Sequence, residues 1–93
     1  MENKYELVGL FATKVNDILA EKTLVEHSKT AGFRVVEVDK MGVKPLAYPI
    51  KNEVKAYYIR LVIEGGNVKK LEELLRIEEN VLRFLLVKLP KEE

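Results

Sequence analysis

The chain has 93 residues, of which 47% are hydrophobic and 33% charged, and its 16 basic and 15 acidic side chains leave a net charge of +1. These values predict one globular domain over residues 1–93, and they exclude a disordered chain and a strongly basic protein that coats nucleic acid by bulk charge. The absence of cysteine excludes disulfides, thiol nucleophiles and cysteine zinc sites, and His27 is the one histidine. We therefore expect folding without a cofactor or metal.

The N-terminal half of the chain predicts a strand, a helix and a second strand. Residues 4–11 form a short alternating run rich in Tyr, Leu, Val and Phe, which is typical of a strand. Thr13 is a suitable N-cap for a helix of about four turns that ends at Gly32. Residues 33–41 are rich in β-branched side chains and predict an edge strand. The apolar residues at helical spacing in between are Val15, Ile18, Leu19 and Val25.

The segment after residue 41 contains Gly42, Pro45 and Pro49 and reaches Val54. Because proline lacks the N–H that a central strand must donate, this segment is predicted to be a long hairpin loop.

The C-terminal half predicts a strand, a helix and a last strand. Residues 56–64 show the clearest alternation in the chain and predict a central strand. Residues 65–67, Gly-Gly-Asn, predict a tight turn that begins a second helix, whose apolar residues again recur at helical spacing. Residues 81–89 predict the last strand, and residues 90–93 a short charged tail.

The predicted order βαββαβ gives an α+β, ferredoxin-like fold, with a four-stranded antiparallel sheet and both helices on one face. Right-handed crossovers place the first and third strands in the centre of the sheet. The other sheet face then remains open and carries Val8, Leu10, Tyr58 and Val62, which suggests a contact surface, although isolated apolar side chains on a solvated sheet are equally ordinary.

No arrangement of residues predicts catalysis. His27 and Ser28 are adjacent in a helix, where side chains diverge by about 100°, so they cannot act as a base and nucleophile. The turn at residues 65–67 lacks the Lys-Ser/Thr pair of a phosphate loop. We therefore expect no enzyme activity and no small-molecule substrate.

The third strand shares part of the pattern of the RNA-recognition motif, which uses stacking aromatic residues on such a sheet. Residues 55–59 begin in the same way, but Ala56 and Ile59 replace the glycine and the second aromatic residue. Base stacking on the sheet is therefore not expected. The fold also occurs in ligand-sensing and acylphosphatase-like domains, and such a stand-alone domain is the alternative, although the loop after Phe11 has no arginine to hold a phosphate.

Positive charge is concentrated in residues 40–60. This segment has five basic residues and one acidic residue, so it carries +4, whereas the other 11 basic and 14 acidic residues carry −3. Such asymmetry can form an anion-attracting patch on an almost neutral protein, although it can also serve only solubility.

The sequence GVKPLAYPIK at residues 42–51 resembles the hallmark of the bacterial small-subunit ribosomal protein six family. Tyr5-Glu6, the run KAYY at residues 55–58 and the run IEENVLR at residues 77–83 match the same family in the same order. The resemblance covers residues 4–88.

This resemblance implies the ferredoxin-like fold and a non-catalytic role in the small ribosomal subunit in the cytoplasm, without a membrane association. It implies binding to the central domain of small-subunit rRNA together with ribosomal protein eighteen. By position, the predicted rRNA-binding residues are first Lys44, Tyr48 and Lys51 in the hairpin loop, although a tyrosine before a proline can equally be a buried plug of the loop. The secondary candidates, expected to begin or line strands next to that loop, are Lys4, Lys55, Arg83 and Lys88.

Overall fold

The structure is a computed structural model of the chain, and it describes residues 3–90. It confirms the predicted βαββαβ order. Residues 91–93 of the predicted charged tail lie outside the described residues. The elements are β1 (Lys4–Phe11), α1 (Asp17–Thr30), β2 (Arg34–Ile50), β3 (Glu53–Glu64), α2 (Val68–Arg76) and β4 (Val81–Lys88).

The four strands form one antiparallel sheet in the order β2-β3-β1-β4. The predicted central position of β1 and β3 is therefore confirmed, as are the edge positions of β2 and β4. Both helices contribute to a single core on one face of the sheet, so the predicted ferredoxin-like arrangement is also confirmed.

The core lies between the helices and the sheet. Because successive strand residues point to opposite faces, Leu7 of β1 and Ile59 of β3 face the helices, and both are fully buried. The absence of a side chain at Gly9 leaves room for Leu24 of α1. A Cβ added at Gly9 would lie only 3.3 Å from the methyl groups of Leu24. The buried cluster consists of Leu7, Phe11, Val15, Ala20, Leu24, Ala31, Phe33, Ile59, Leu61, Ile63, Leu71, Leu75 and Val81.

Helix α1 begins later than predicted. Its N-cap is Asn16 and not Thr13: the Asn16 side chain accepts a hydrogen bond from the backbone N–H of Leu19 at 2.7 Å. The buried face also differs from the prediction, because Ile18 and Leu19 are both exposed. The buried residues of α1 are instead Ala20, Leu24 and Ser28, spaced four apart.

The turn before α2 follows the prediction. Gly65 and Gly66 have positive φ angles of 73° and 83°, and Asn67 caps the helix by accepting from the Lys70 N–H at 3.1 Å. Gly66 is also packed closely, since an added Cβ would lie 2.6 Å from Cγ of Phe33. Neither helix of residues 3–90 is both long enough and apolar enough to cross a membrane.

The predicted hairpin loop is wrong: residues 42–54 are largely strand. β2 continues to Ile50 and β3 begins at Glu53, and these two residues pair with each other. The prolines are accommodated because β2 is an edge strand, where a missing N–H need not break a central ladder. Only Lys51 and Asn52 remain as the turn, and their φ angles of 48° and 67° are those of a two-residue type I′ hairpin.

Candidate nucleic-acid interface

The β2–β3 hairpin extends past the rest of the sheet as a two-stranded ribbon. The pairing of β3 with β1 ends where Tyr57 meets Phe11, whereas β3 continues to pair with β2 as far as its first residue. We refer to residues 42–56 as the ribbon. Its three lysines, Lys44, Lys51 and Lys55, are all exposed.

The other two basic residues of the +4 segment are already paired with carboxylates. Lys40 lies 3.3 Å from Glu21, and the hydrogen bond to this carboxylate raises the pKa of Lys40. Arg60 donates hydrogen bonds to Glu6 at 2.5 Å and to Glu37 at 2.9 Å. Both bonds raise the pKa of Arg60, and the bond to Glu6 has the larger effect.

These pairs leave the excess positive charge of the segment on the ribbon. Across residues 3–90, no carboxylate lies within ion-pair distance of any of the three ribbon lysines. Lys44 instead places its ammonium 5.8 Å from the centroid of the Tyr58 ring, a cation–π arrangement that leaves its charge uncompensated. Lys51 stands at the tip of the hairpin. The ribbon therefore presents three exposed lysines that can attract phosphate.

A large bulge interrupts the ribbon. Pro45 pairs with Lys55 and Ile50 pairs with Glu53, so residues 46–49 of β2 together lie opposite the single residue Val54. Ordinary β-bulges add one residue to one strand, whereas this excursion adds three. It consists of the sequence Leu-Ala-Tyr-Pro, the centre of the motif that gave the family resemblance.

The bulge carries Tyr48 to the far edge of the sheet. The Tyr48 hydroxyl accepts a hydrogen bond from Nη1 of Arg83 at 3.1 Å, and the Arg83 guanidinium carbon lies 5.8 Å from the centroid of the Tyr48 ring. Arg83 belongs to β4, and two strands separate β4 from β2. Tyr48 is 59% exposed, so it braces the ribbon from the surface and is not a buried plug.

The predicted site residues do not all lie together. Lys44, Tyr48, Lys51 and Lys55 belong to the ribbon, and contact with Tyr48 brings Arg83 to the same end of the sheet.

The expectation that Lys4 and Lys88 lie next to the ribbon is wrong. β1 runs from Lys4 toward the ribbon end at Phe11, and antiparallel β4 runs back from that end, so Lys88 pairs with Tyr5. At about 3.3 Å per residue, the seven steps of β1 separate the two ends by about 23 Å. Any contact of these two lysines with rRNA would involve a separate surface.

The open sheet face combines ionic and apolar side chains. Arg60 and its two carboxylate partners link β1, β2 and β3, and the neighbouring strand pair contributes Val8 and Leu85, which lie opposite each other. Leu85 is 59% exposed, whereas Val62, predicted for the same face, is buried. The ring of Tyr58, the aromatic residue predicted for this face, has the ammonium group of Lys44 over it. The arrangement does not offer the pair of free aromatic rings that base stacking on a sheet uses.

His27 and Ser28, the residues considered for catalysis, both have structural partners. The Ser28 hydroxyl donates to the carbonyl of Leu24 at 3.0 Å, and His27 lies 2.9 Å from Glu78, which ties α1 to the segment after α2. His27 and Ser28 thus do not serve each other, as predicted, although His27 is partly buried and not a fully exposed helix residue. Residues 3–90 contain no group of three or more His, Asp or Glu side chains placed to hold a metal ion.

Sequence reasoning missed the contact between Tyr48 and Arg83. The two residues are 35 positions apart, and only a bulge of this size lets a side chain of one edge strand reach the other edge. Pro45 and Pro49 were the available signal, because they mark where regular pairing of β2 is interrupted.

Comparison with known proteins gives a consistent result. The model of the family described as Ribosomal protein S6 matches residues 4–88. Small ribosomal subunit protein bS6 of Koribacter versatilis is 33% identical over 98 residues, which cover 100% of this chain and 67% of that protein. The protein of the same name from Desulfovibrio desulfuricans is 41% identical over 86 residues, covering 90% of this chain and 74% of its own length.

The structural comparison supports the fold. The crystal structure of 30S ribosomal protein S6 from Thermotoga maritima superposes with a TM-score of 0.84 over 95% of this chain and 88% of that chain. The sequence identity is 20%, so this likeness is evidence for the architecture alone.

Proposed function

The chain belongs to the ribosomal protein S6 family, whose members are non-enzymatic structural proteins of the small ribosomal subunit, and we propose that its ribbon binds small-subunit rRNA jointly with ribosomal protein eighteen. Membership of the family makes the chain a component of the ribosome in the cytoplasm. It also sets aside the alternative of a stand-alone ligand-sensing or acylphosphatase-like domain. We propose that residues 1–93 act as one domain and that the rRNA region is the central domain.

One observation supports the ribbon as the rRNA contact. The two other cations of the +4 segment are engaged by carboxylates, whereas Lys44, Lys51 and Lys55 project on a narrow element beyond the core. The ribbon is narrow and most of its residues are exposed, so it can enter a groove or a junction of folded RNA that a flat sheet cannot reach.

The lysines are suited to position the protein and not to read sequence. An ammonium group is a point charge that pairs with any phosphate, whereas base identity is read through edge contacts. Lys51 at the tip is expected to reach furthest into the RNA, with Lys44 and Lys55 behind it on opposite strands of the ribbon. Shape and register of the RNA surface would then decide where the ribbon binds.

The low net charge supports joint binding with a second protein. Each phosphate contact releases condensed counterions, and three exposed lysines offer few such contacts. We propose that a composite surface with ribosomal protein eighteen supplies the remaining free energy, so that each protein raises the affinity of the RNA for the other.

Isothermal titration of central-domain rRNA with this protein, in the presence and absence of ribosomal protein eighteen, tests the joint binding. We expect weak binding by this protein alone and an affinity at least tenfold higher with the partner. Such an increase lies within the range of about 5- to 150-fold that coupled binding sites typically show. Equal affinities in the two titrations would contradict the proposal.

The double variant Lys44→Ala/Lys51→Ala tests the site. If each lysine neutralises one phosphate, the slope of log K against log salt should become shallower by roughly 1.4 to 1.8, the lower value applying to single-stranded RNA. Thermal stability should change little, because both side chains are exposed.

The matched control is Lys69→Ala/Lys70→Ala, which removes two exposed lysines from α2, on the helix-covered face of the sheet. This variant should keep the salt slope of the natural protein. A slope that changes equally in both double variants would show that the effect is one of net charge, and it would remove the ribbon as the binding site.

A further inference from the structure

We infer that Tyr48 and Arg83 form a latch that fixes the ribbon in its binding orientation, and that Arg83 is a positioning residue which does not contact phosphate. The inference rests on the proposed role of the ribbon in rRNA binding. It changes the role predicted for both residues, from direct contacts with rRNA to a contact with each other.

The ribbon is the least supported part of the sheet. Beyond the pair Phe11–Tyr57 it has no third strand, and a two-stranded hairpin without further packing is at best marginally stable in water. The bulge at residues 46–49 interrupts the ladder that remains. Without a further contact, the part of the ribbon beyond the bulge could change direction at little cost.

The contact between Tyr48 and Arg83 supplies such a restraint. It connects the bulge to β4 by a hydrogen bond of 3.1 Å and by a guanidinium that lies over the phenol ring, so both the distance and the orientation of the tyrosine are restrained. Because β4 is held by its pairing with β1, the latch anchors the ribbon to the core of the molecule. Lys51, only three residues after Tyr48, is thereby held in a defined direction.

Burial at the base of the ribbon is consistent with this arrangement. Ala56 lies on the same face of β3 as Tyr58 and Arg60, the face that the helices leave open, yet Ala56 is fully buried. The bulge that carries Tyr48 toward β4 is on the same part of the sheet. A bulge folded over this end of the sheet accounts for both observations.

The geometry argues against Arg83 as a phosphate ligand. Its Nη1 donor is used by the Tyr48 hydroxyl, and one face of its guanidinium is directed to the tyrosine ring. A phosphate bound bidentately through both Nη groups would compete with the Tyr48 hydroxyl for Nη1 and would open the latch, so only the edge formed by Nε and Nη2 is left for another ligand while the latch is closed.

The salt dependence of rRNA binding distinguishes the two roles of Arg83. For Arg83→Ala, measured with central-domain rRNA and ribosomal protein eighteen, a lost latch should weaken binding roughly three- to tenfold. The slope of log K against log salt should not change, because no phosphate contact is lost. A slope that becomes shallower by about 0.7 to 0.9 would show that Arg83 neutralises a phosphate, and it would overturn the inference.

A double-variant cycle provides the second measurement. Tyr48→Ala should weaken binding to the same extent as Arg83→Ala, and the variant with both changes should bind no more weakly than either alone, because a latch is lost once. Tyr48→Phe keeps the ring and loses the hydroxyl, so its effect should be intermediate. Additive losses in the double variant would indicate two independent contacts and no latch.

Hydrogen exchange of the free protein tests the latch without RNA. In Arg83→Ala, the backbone amides of the ribbon should exchange faster than in the natural protein, whereas the amides of Leu7 and Leu61 in the central strands should keep their protection. Unchanged exchange in the ribbon would overturn the latch even if rRNA binding were confirmed. Conversely, faster exchange in a protein that proves not to bind rRNA would leave the latch in place and contradict only the proposed function.

Discussion

The two ends of the β2–β3 hairpin differ in what holds them. At the inner end, β3 lies between two strands and beneath the helices, and Ile59, Leu61 and Ile63 are fully buried. At the outer end, the same two strands form the ribbon, where the lysines and Tyr48 are exposed and the contact of Tyr48 with Arg83 connects the bulge to β4. The inner end is stabilised by burial of apolar surface, and the outer end by hydrogen bonds, turn geometry and the latch.

This difference indicates that stability and binding can be changed separately. Substitutions in the core should lower the free energy of unfolding and leave the affinity of the folded molecules unchanged. Removal of an exposed side chain from the ribbon should lower the affinity and leave the free energy of unfolding largely unchanged. The following predictions test this separation and the packing around the hairpin.

Truncation of an aromatic residue should have the largest effect and the clearest contrast. Phe11→Ala removes a fully buried ring and should lower the free energy of unfolding by about 3–5 kcal/mol. Tyr48→Ala removes an exposed ring that makes one hydrogen bond and one cation–π contact, so it should cost about 1 kcal/mol or less. Urea denaturation of both variants measures the difference. A loss of several kcal/mol for Tyr48→Ala would show that the ribbon belongs to the core.

Two glycine-to-alanine substitutions at the same backbone conformation should distinguish the stability cost of close packing from that of backbone strain. Gly66 and Gly42 have φ angles of 83° and 84°, so each alanine carries the same penalty of about 1–2 kcal/mol for a left-handed conformation. Gly66→Ala also places Cβ 2.6 Å from Cγ and 2.8 Å from the backbone N of Phe33, whereas Gly42→Ala meets nothing within 4 Å. Gly66→Ala should therefore be the more destabilising by about 1–3 kcal/mol.

Thermal or urea unfolding of the two glycine variants provides the measurement. Equal losses of stability would mean that the backbone around Phe33 yields to the added methyl group, and that the turn before α2 is less rigid than the packing indicates.

Glycine at the ribbon tip should change binding without loss of stability. Lys51 has a φ angle of 48°, which costs a lysine about 1–2 kcal/mol and a glycine almost nothing, although glycine loses about 0.5–1 kcal/mol more conformational entropy on folding. Lys51→Gly should therefore unfold at the same urea concentration as the natural protein or slightly above it. Its salt slope for rRNA binding should still become shallower by about 0.7 to 0.9. A fall in stability above 1 kcal/mol would contradict this account of the turn.

Alkaline pH should affect the contacts between α1 and the hairpin. Burial and the nearby carboxylate of Asp17 raise the pKa of Tyr57 above 10.0, and the hydrogen bond to Glu21 raises the pKa of Lys40 above 10.5. Above about pH 10 the unfolded chain therefore releases these protons before the folded protein does, so stability is complete below that pH and falls as the pH rises further. In Tyr57→Phe, the melting temperature should fall less steeply between pH 10 and pH 11. An identical fall in both proteins would show that Tyr57 does not contribute.

The strands and their order were predictable because local patterns determine them. β1 was predicted with the bounds that the structure shows, and α2 follows the predicted Gly-Gly-Asn turn, since alternation and capping depend on residues close in sequence. The start of α1 was not predictable in the same way. Thr13 and Asn16 are both good N-caps, and residue type alone does not decide between them.

The candidate site was predictable in composition but not in arrangement. The charge excess in residues 40–60 identified the right segment, yet nothing local showed that Lys40 and Arg60 find carboxylates on α1, β1 and β2. The strand register determines that Lys4 and Lys88 lie at the opposite end from the ribbon. The predicted antiparallel sheet with β1 in its centre already implies this position, whereas the family resemblance, which suggested these two lysines as rRNA contacts, does not consider which end of the sheet they occupy.

The central position of β1 has a consequence for the speed of folding. Its partners are remote in sequence, since Lys4 pairs with Glu64, 60 positions away, and Tyr5 pairs with Lys88, 83 positions away. Closing such long segments costs chain entropy before the contacts compensate for it, whereas the β2–β3 hairpin needs only its own turn. We therefore expect folding on a timescale of milliseconds or longer, with the hairpin forming before β1 is enclosed. Refolding that is already complete within the dead time of stopped-flow mixing would show that insertion of β1 is not the slow step.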